Sequence, residues 1–259
     1  MADQLPALFF GHGNPMNALQ SNVYTEVWRA MGKSLPRPKA ILAISAHWFV
    51  AKTGVTVTTA PRTIHDFGGF PRELYQVKYP APGDPELAHR VQKLLAPLPV
   101  QLDESWGLDH GTWSVLCHVY PHADVPIVQL SIDETQPPAF HYELGRRLAP
   151  LRDEGVLIVG SGNLVHNLHA YAWGRHPVDP FDWAVRFETQ VREMLLAGEH
   201  KRLIDYEKLG RDAILSIPTP DHYLPLLYAV ATRQSGEPIT FPVEGVDGGS
   251  ISMLTVQVG

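Results

Sequence analysis

The chain is predicted to fold as one α/β domain over residues 1–259, layered α/β/α around a central mixed, largely parallel sheet. Three observations lead to that class. Short apolar runs of strand length alternate with amphipathic stretches of helix length along the whole chain. Three of the apolar runs end on a histidine or lead to one: Leu8-Phe9-Phe10-Gly11 before His12, Ile41 to Ala46 before His47, and Val156 to Gly162 before His166. In open α/β sheets ligand and catalytic groups collect beyond the carboxyl ends of strands. No internal repeat, low-complexity tract or linker divides the chain.

Taken in order, Leu5–Phe10 reads as a buried strand entering the turn Gly11-His12-Gly13-Asn14-Pro15, whose glycines and proline suit tight backbone geometry. Tyr24–Met31 is a short helix, Ala40–Ser45 the second strand, and the β-branched run Gly54–Thr59 the third. Ala60–Pro82, rich in Pro, Gly and aromatics, is a long loop of the kind that is often functional. Asp84 caps a helix to Leu95, and Val100–Leu102 is a short strand. Asp109-His110-Gly111-Thr112 precedes a helix over Trp113–Val119. Val125–Ile132 is a strand, Pro138–Leu151 a helix, and Val156–Val159 a buried strand. Phe181–Ala197 is the longest amphipathic helix, with Trp183 and Phe187 on its packing stripe. His222–Ala231 is a helix, and Ile239–Val243 and Ile251–Val258 are closing strands.

Composition removes several function classes. The net charge is −6 with no Lys/Arg-rich run, which argues against nucleic acid, because phosphate neutralisation needs clustered positive charge. Cys117 is the only cysteine, so no intrachain disulfide forms, and this fits a reducing compartment. Met1-Ala2-Asp3-Gln4 has no basic character, the next apolar stretch is broken by Pro6 and Gly11, and no apolar run approaches the ~20 residues of a membrane span. The expectation is a cytoplasmic protein with no membrane partner.

What remains is histidine chemistry. Neutral imidazole is the commonest protein ligand of borderline transition metals. His12, His47 and His222, the last after Pro218-Thr219-Pro220-Asp221, are spread through the chain as ligands on an α/β sheet would be. Spacing alone leaves plainer roles open: His12 bonded within its glycine turn, His47 half-buried beside Trp48, His110 and His166 at helix starts. His65, His89, His118, His122, His141, His169, His176 and His200 read as lying outside any site. Gly160-Ser161-Gly162-Asn163 lacks the Gly-x-Gly-x-x-Gly spacing of a dinucleotide site, and Ser161 is not in a Gly-x-Ser-x-Gly elbow. Cys117 reads as core.

Six segments in order carry a resemblance: Gly11-His12-Gly13-Asn14-Pro15-Met16, Ser45-Ala46-His47-Trp48, His65-Asp66-Phe67-Gly68-Gly69-Phe70-Pro71, Asp109-His110-Gly111-Thr112-Trp113, Gly160 to Leu168, and Thr219-Pro220-Asp221-His222-Tyr223. Through them the chain resembles the class III extradiol ring-cleaving dioxygenases, and within these the DOPA 4,5-dioxygenase branch. The resemblance implies His12, His47 and His222 as ligands of one non-haem divalent metal. It implies His166 as an acid/base group beside the metal, or a fourth ligand in a resting form, and His110 facing substrate or oxygen. Protocatechuate-type members supply a glutamate as third ligand; here His222 stands where that group is sought. A three-histidine set is also a common zinc arrangement, so Fe(II) is expected for catalysis with Zn(II) as an alternative bound ion. The implied partners are a catechol such as L-DOPA and O2, giving a semialdehyde. The rival readings are a zinc-dependent hydrolase and a non-catalytic metal-binding protein on the same fold. No residue is singled out for substrate binding.

Overall fold

The computed structural model describes residues 4–175 and 177–259; His176, read from sequence as a non-site histidine, lies outside them. The strands are β1 (Ala7–Gly11), β2 (Ala40–Val50), β3 (Gly54–Thr56), β4 (Gln101–Asp103), β5 (Ile127–Asp133), β6 (Val156–Gly162), β7 (Ile239–Val243), β8 (Val246–Asp247), β9 (Ile251–Ser252) and β10 (Thr255–Val258). Among the described residues, eight of them form one sheet in the order β4-β3-β5-β2-β6-β1-β10-β7, while β8 and β9 pair as a separate hairpin. The centre of the sheet, β5-β2-β6-β1, is parallel throughout. Antiparallel pairs flank it at β3–β5, β1–β10 and β10–β7.

Side chains alternate across a strand, and that alternation builds the layers. Ala7 and Phe9 of β1, Ala40, Leu42 and Ile44 of β2, and Val156 and Ile158 of β6 join one hydrophobic cluster. Their neighbours Leu8, Phe10, Ile41, Ala43, Leu157 and Val159 join another on the opposite face. The second face is covered by α1 (Val23–Ser34), through Trp28 and Met31, and by α4 (His110–Val119), through Trp113 and Leu116. Between these helices in the chain come α2 (Arg72–Tyr75), a short helix inside the long loop, and α3 (Pro85–Leu95). The first face is covered by α3, by α5 (Pro138–Leu148), by α6 (Asp182–Ala197) and, after the short α7 (His200–Ile204) and α8 (Arg211–Ser216), by α9 (Leu224–Ala231). The layered mixed sheet therefore matches the class read from sequence. Among the described residues no helix is long and apolar enough to cross a membrane.

Several element boundaries differ from expectation, each with a local cause. Helix α4 begins at His110 rather than Trp113, because Asp109 is its N-cap and accepts from the Thr112 amide at 3.2 Å. Strand β2 does not stop at Ser45 but continues to Val50. Helix α9 starts at Leu224, with Pro225 in its first turn, so His222 sits in the preceding turn rather than on the helix. The apolar run Ile251–Val258 is two strands: Ile251–Ser252 pairs with β8, and only Thr255–Val258 enters the main sheet.

The layer on the first face contains a titratable link. The imidazole of His141 on α5 is fully buried and lies 2.9 Å from the Tyr228 hydroxyl on α9, the helix that follows His222. Burial lowers its pKa from 6.5 to about 4, so the folded chain keeps it neutral where the unfolded chain would protonate it. The unfolded state thus binds more protons between these values, and stability falls as pH drops through the window. Urea unfolding at about pH 7.5 and about pH 5 should show the wild type losing roughly 2 kcal/mol more on acidification than His141→Gln. Identical pH dependence in the two proteins would contradict this.

Candidate metal centre

The parallel centre of the sheet brings the chemistry to one end. Strand β1 ends at Gly11, and the next amide, that of His12, donates to the carbonyl of Gly162 at the end of β6 (3.0 Å). The following amide on β6, Asn163, donates to the carbonyl of His222 (2.9 Å), which docks the His222 turn against the strand end. A Cβ on Gly162 would collide with that carbonyl oxygen, so glycine is what lets the turn approach. His47 is placed differently. Strand β2 pairs with β6 only as far as Ser45, and its register with β5 jumps between Ile44 and Phe49. An irregularity of this kind re-aims side chains, and His47 sits within it. The imidazole lies past the end of the β2–β6 ladder, although the strand itself runs on.

Hydrogen bonds at Nδ1 decide where the other ring nitrogens point. The Ser161 hydroxyl gives its proton to the Gly111 carbonyl (2.5 Å), so toward His12 its oxygen accepts, and His12 Nδ1–H donates to it at 3.0 Å. His47 Nδ1 lies 3.3 Å from Asp66 Oδ2, and His222 Nδ1 is hydrogen-bonded to Asp221 Oδ2. A carboxylate only accepts, so the hydrogen-bonded Nδ1 of His222 also carries a hydrogen, while Asp66 lies beside His47 as an acidic neighbour. The Nε2 lone pairs of His12 and His222 are then left bare, and one nitrogen of each of the three rings lies within 4.8 Å of those of the other two. His47 Nε2 and His12 Nε2 are 3.2 Å apart. A cation between these nitrogens would take a lone pair from each neutral ring. The donor set fits a divalent metal, with partners behind His12 and His222 that hold tautomer and orientation and a carboxylate beside His47.

Electrostatics agree with ligand function. Burial, reinforced by His222 and His110, pushes the pKa of His12 well below its ordinary value. Burial followed by His110 and His12 does the same for His47. Both rings are therefore neutral at neutral pH, the form that binds a metal. Burial pulls the carboxyl pKa values of Asp66 and Asp221 upward, but hydrogen bonds from His110 and His222 outweigh it, so both stay ionised.

The other two expected site histidines flank this group. The ring of His166 stacks on that of His222, with centroids 3.5 Å apart and planes within 6°. Burial and His222 lower its pKa to about 2, leaving it neutral. His110, the first residue of α4, packs against His47 (centroids 3.8 Å). Both its amide and its Nδ1 lie 2.9 Å from Asp66 oxygens. Its helix start is pinned by the buried carboxylate of Asp109, which also accepts from Ser45 Oγ and Gln129 Nε2, both at 2.7 Å.

All five histidines line one cavity of about 230 Å³. Its apolar wall includes Phe67 and Phe70 from the long loop, together with Leu168, Trp173 and Ile251. Such a chamber, largely apolar with convergent polar groups at its base, suits a small aromatic ligand. Asp66, Asp221 and Ser161 were not assigned site roles from sequence; for the two acids the available signal was a carboxylate inside a histidine-bearing segment. Several histidines read as non-site have other work: His118 contacts the Asn17 carbonyl at 2.8 Å, His200 the Tyr142 hydroxyl at 2.6 Å, and His65 the Val77 carbonyl at 3.0 Å.

Comparison with known proteins agrees with this geometry. Residues 11–240 match the family described as the catalytic LigB subunit of aromatic ring-opening dioxygenase. The chain is 54% identical to the 4,5-DOPA dioxygenase extradiol of Escherichia coli (strain K12), over 99% of this chain and 95% of that one. It is 41% identical to the protein of the same name from Beta vulgaris, over 94% of this chain and 92% of that one. The crystal structure of an uncharacterized protein from Escherichia coli K12 superposes with a TM-score of 0.87 at 50% identity, covering 99% of this chain and 100% of the other. A non-haem metal, O2 and a small-molecule substrate come with that family. The chain belongs to the LigB family of aromatic ring-opening dioxygenases, as an extradiol ring-cleaving enzyme that groups with the relatives named 4,5-DOPA dioxygenase extradiol.

Proposed function

We propose that the chain opens a catechol beside its two hydroxyls, adding both atoms of O2 to give a semialdehyde, at one Fe(II) held by Nε2 of His12, His47 and His222. L-DOPA, the substrate named for the relatives, is the proposed catechol. The convergence of one nitrogen from each of these three buried or part-buried rings, with Nδ1 of His12 and His222 held by Ser161 and Asp221, is the observation that supports this reading most strongly. A ferrous ion bound there supplies the one-electron chemistry that couples a diol to O2, and its charge eases loss of the diol protons.

The chain's own groups do the rest. His166, neutral and stacked beside His222, takes the proton released by a catechol hydroxyl and later returns it. The carboxylate of Asp66 holds the His110 ring through its Nδ1 in the cavity wall, facing the oxygen atoms that gain negative charge during ring opening. Phe67 packs edge-on to His110 (centroids 5.4 Å, planes at 78°) and with Phe70 shields that end of the cavity from water.

Anaerobic reconstitution with Fe(II), followed by air and L-DOPA, should consume oxygen and form a yellow semialdehyde, whereas zinc-loaded protein should be inert because Zn(II) has no redox chemistry. Absence of oxygen uptake with L-DOPA and with every simple catechol would contradict the proposal. His12→Ala or His47→Ala should abolish metal retention, read by elemental analysis. His166→Ala should keep the metal and lower kcat by about 10²- to 10⁴-fold, and unchanged turnover would remove its proton-transfer role. Asp66→Asn should weaken metal affinity by roughly 10- to 100-fold through misorientation of His47.

A further inference from the structure

Beyond the metal-binding end, the cavity carries one more ionic group, Asp247, on β8. The backbone connects it to the site in two steps. His166 forms an isolated antiparallel bridge with Ile251, and Ile251 pairs in turn with Asp247 across the β8–β9 hairpin. Residues directly opposite one another in a ladder project on the same face, so His166, Ile251 and Asp247 form a row, and all three line the cavity. Two rungs place the Asp247 backbone roughly 10 Å from that of His166. That is a reach suited to a substituent para to one hydroxyl of a catechol whose oxygens lie among the imidazoles.

The hairpin is held firmly. The Ser252 hydroxyl donates to the buried carboxylate of Glu188 on α6 (2.5 Å), and Asn163 Nδ2 donates to the Ser252 carbonyl (2.8 Å). The turn between the strands uses Gly248 and Gly249, both at positive φ (54° and 87°). Asp247 Oδ2 accepts from the Tyr171 hydroxyl at 3.2 Å, while Oδ1 has no hydrogen-bond partner among the described residues. Asp66 and Asp221 are spoken for by histidines, and no Lys or Arg is among the described residues lining the cavity.

We propose that Asp247 is the side-chain subsite of this cavity, binding a cationic, ammonium-bearing substituent on the catechol and disfavouring an anionic one. This deepens the ring-opening reading and rests on it. An ammonium gains a charge-assisted hydrogen bond at Oδ1 in a half-buried setting where water screens it poorly. A carboxylate substituent meets the same charge and finds no lining cation to balance it. For a zwitterionic amino acid side chain, the ammonium faces Asp247 and the carboxylate is left to solvent near Trp173, a residue 62% exposed.

The test compares three catechols of similar size: dopamine (cationic), 4-methylcatechol (neutral) and 3,4-dihydroxyphenylpropionate (anionic). Oxygen uptake by Fe(II)-reconstituted protein should give dopamine a kcat/KM at least about 10-fold above the propionate. Asp247→Asn keeps the shape and an acceptor for Tyr171 but removes the charge. It should cut kcat/KM for dopamine by about 10-fold, lower that for 4-methylcatechol less, and raise that for the propionate. An equal change on all three would mean that Asp247 only supports the hairpin, and no change would mean it does not contact substrate; either overturns the proposal. Calorimetric binding of the same probes under anaerobic conditions is read in parallel. If no catechol is turned over, the ring-opening reading fails by itself, and the charge preference still stands or falls on the binding order.

Discussion

Three imidazoles with their lone pairs aimed at one point are an unfavourable arrangement unless something positive sits there, and the rest of the active end is organised to enforce it. Ser161 and Asp221 each take an Nδ1 proton, which fixes the tautomers of His12 and His222, and Asp66 lies beside the third ring, His47. Burial adds to the constraint, because protonating His12 or His47 to convert repulsion into a hydrogen bond would place a charge in a poorly solvated setting. Neutral rings, each able to offer a lone pair, are the state left.

The fold supplies the rigidity that this demands. The two strands that carry His12 and the Ser161 behind it are adjacent and parallel at the centre of the sheet, buried on both faces. His47 lies on a neighbouring strand whose pairing breaks where the imidazole must turn inward. His222 comes from a turn docked onto the end of β6, at a spot where only glycine leaves room. Asp66 links two rings: one carboxylate lies beside His47 and bonds His110 in the cavity wall. On the proposed reading, its loss would disturb metal affinity and the environment of the reacting oxygens together.

Much of this was legible in the sequence, because the signals were local. Apolar runs of strand length located the central strands, and the helical pattern of Phe181–Ala197 located α6 to within a residue. The histidines that converge are those standing at the ends of strands or beside prolines. Three things were not legible. The continuation of β2 past Ser45 depends on its pairing with β5, a long-range contact that no local pattern encodes. The split of Ile251–Val258 between hairpin and sheet goes with long-range partners, Glu188 for the Ser252 hydroxyl, 64 residues away, and β1 for Thr255–Val258. The partners of Nδ1 also come from elsewhere in the chain for His12 and His47, so Ser161 read only as a failed nucleophile motif and Asp66 as a loop residue. Asp221, adjacent to His222, was the one partner in plain view.

The central claim concerns where three nitrogen atoms point. A crystal structure of the protein loaded with Fe(II) or Zn(II), with the ion located by its anomalous scattering, tests it directly. The account predicts one ion per chain, bonded to Nε2 of His12, His47 and His222 at about 2.0–2.2 Å. An ion bound instead through Nδ1, one held by Asp66 and His110, or rings that diverge around an empty centre would contradict it.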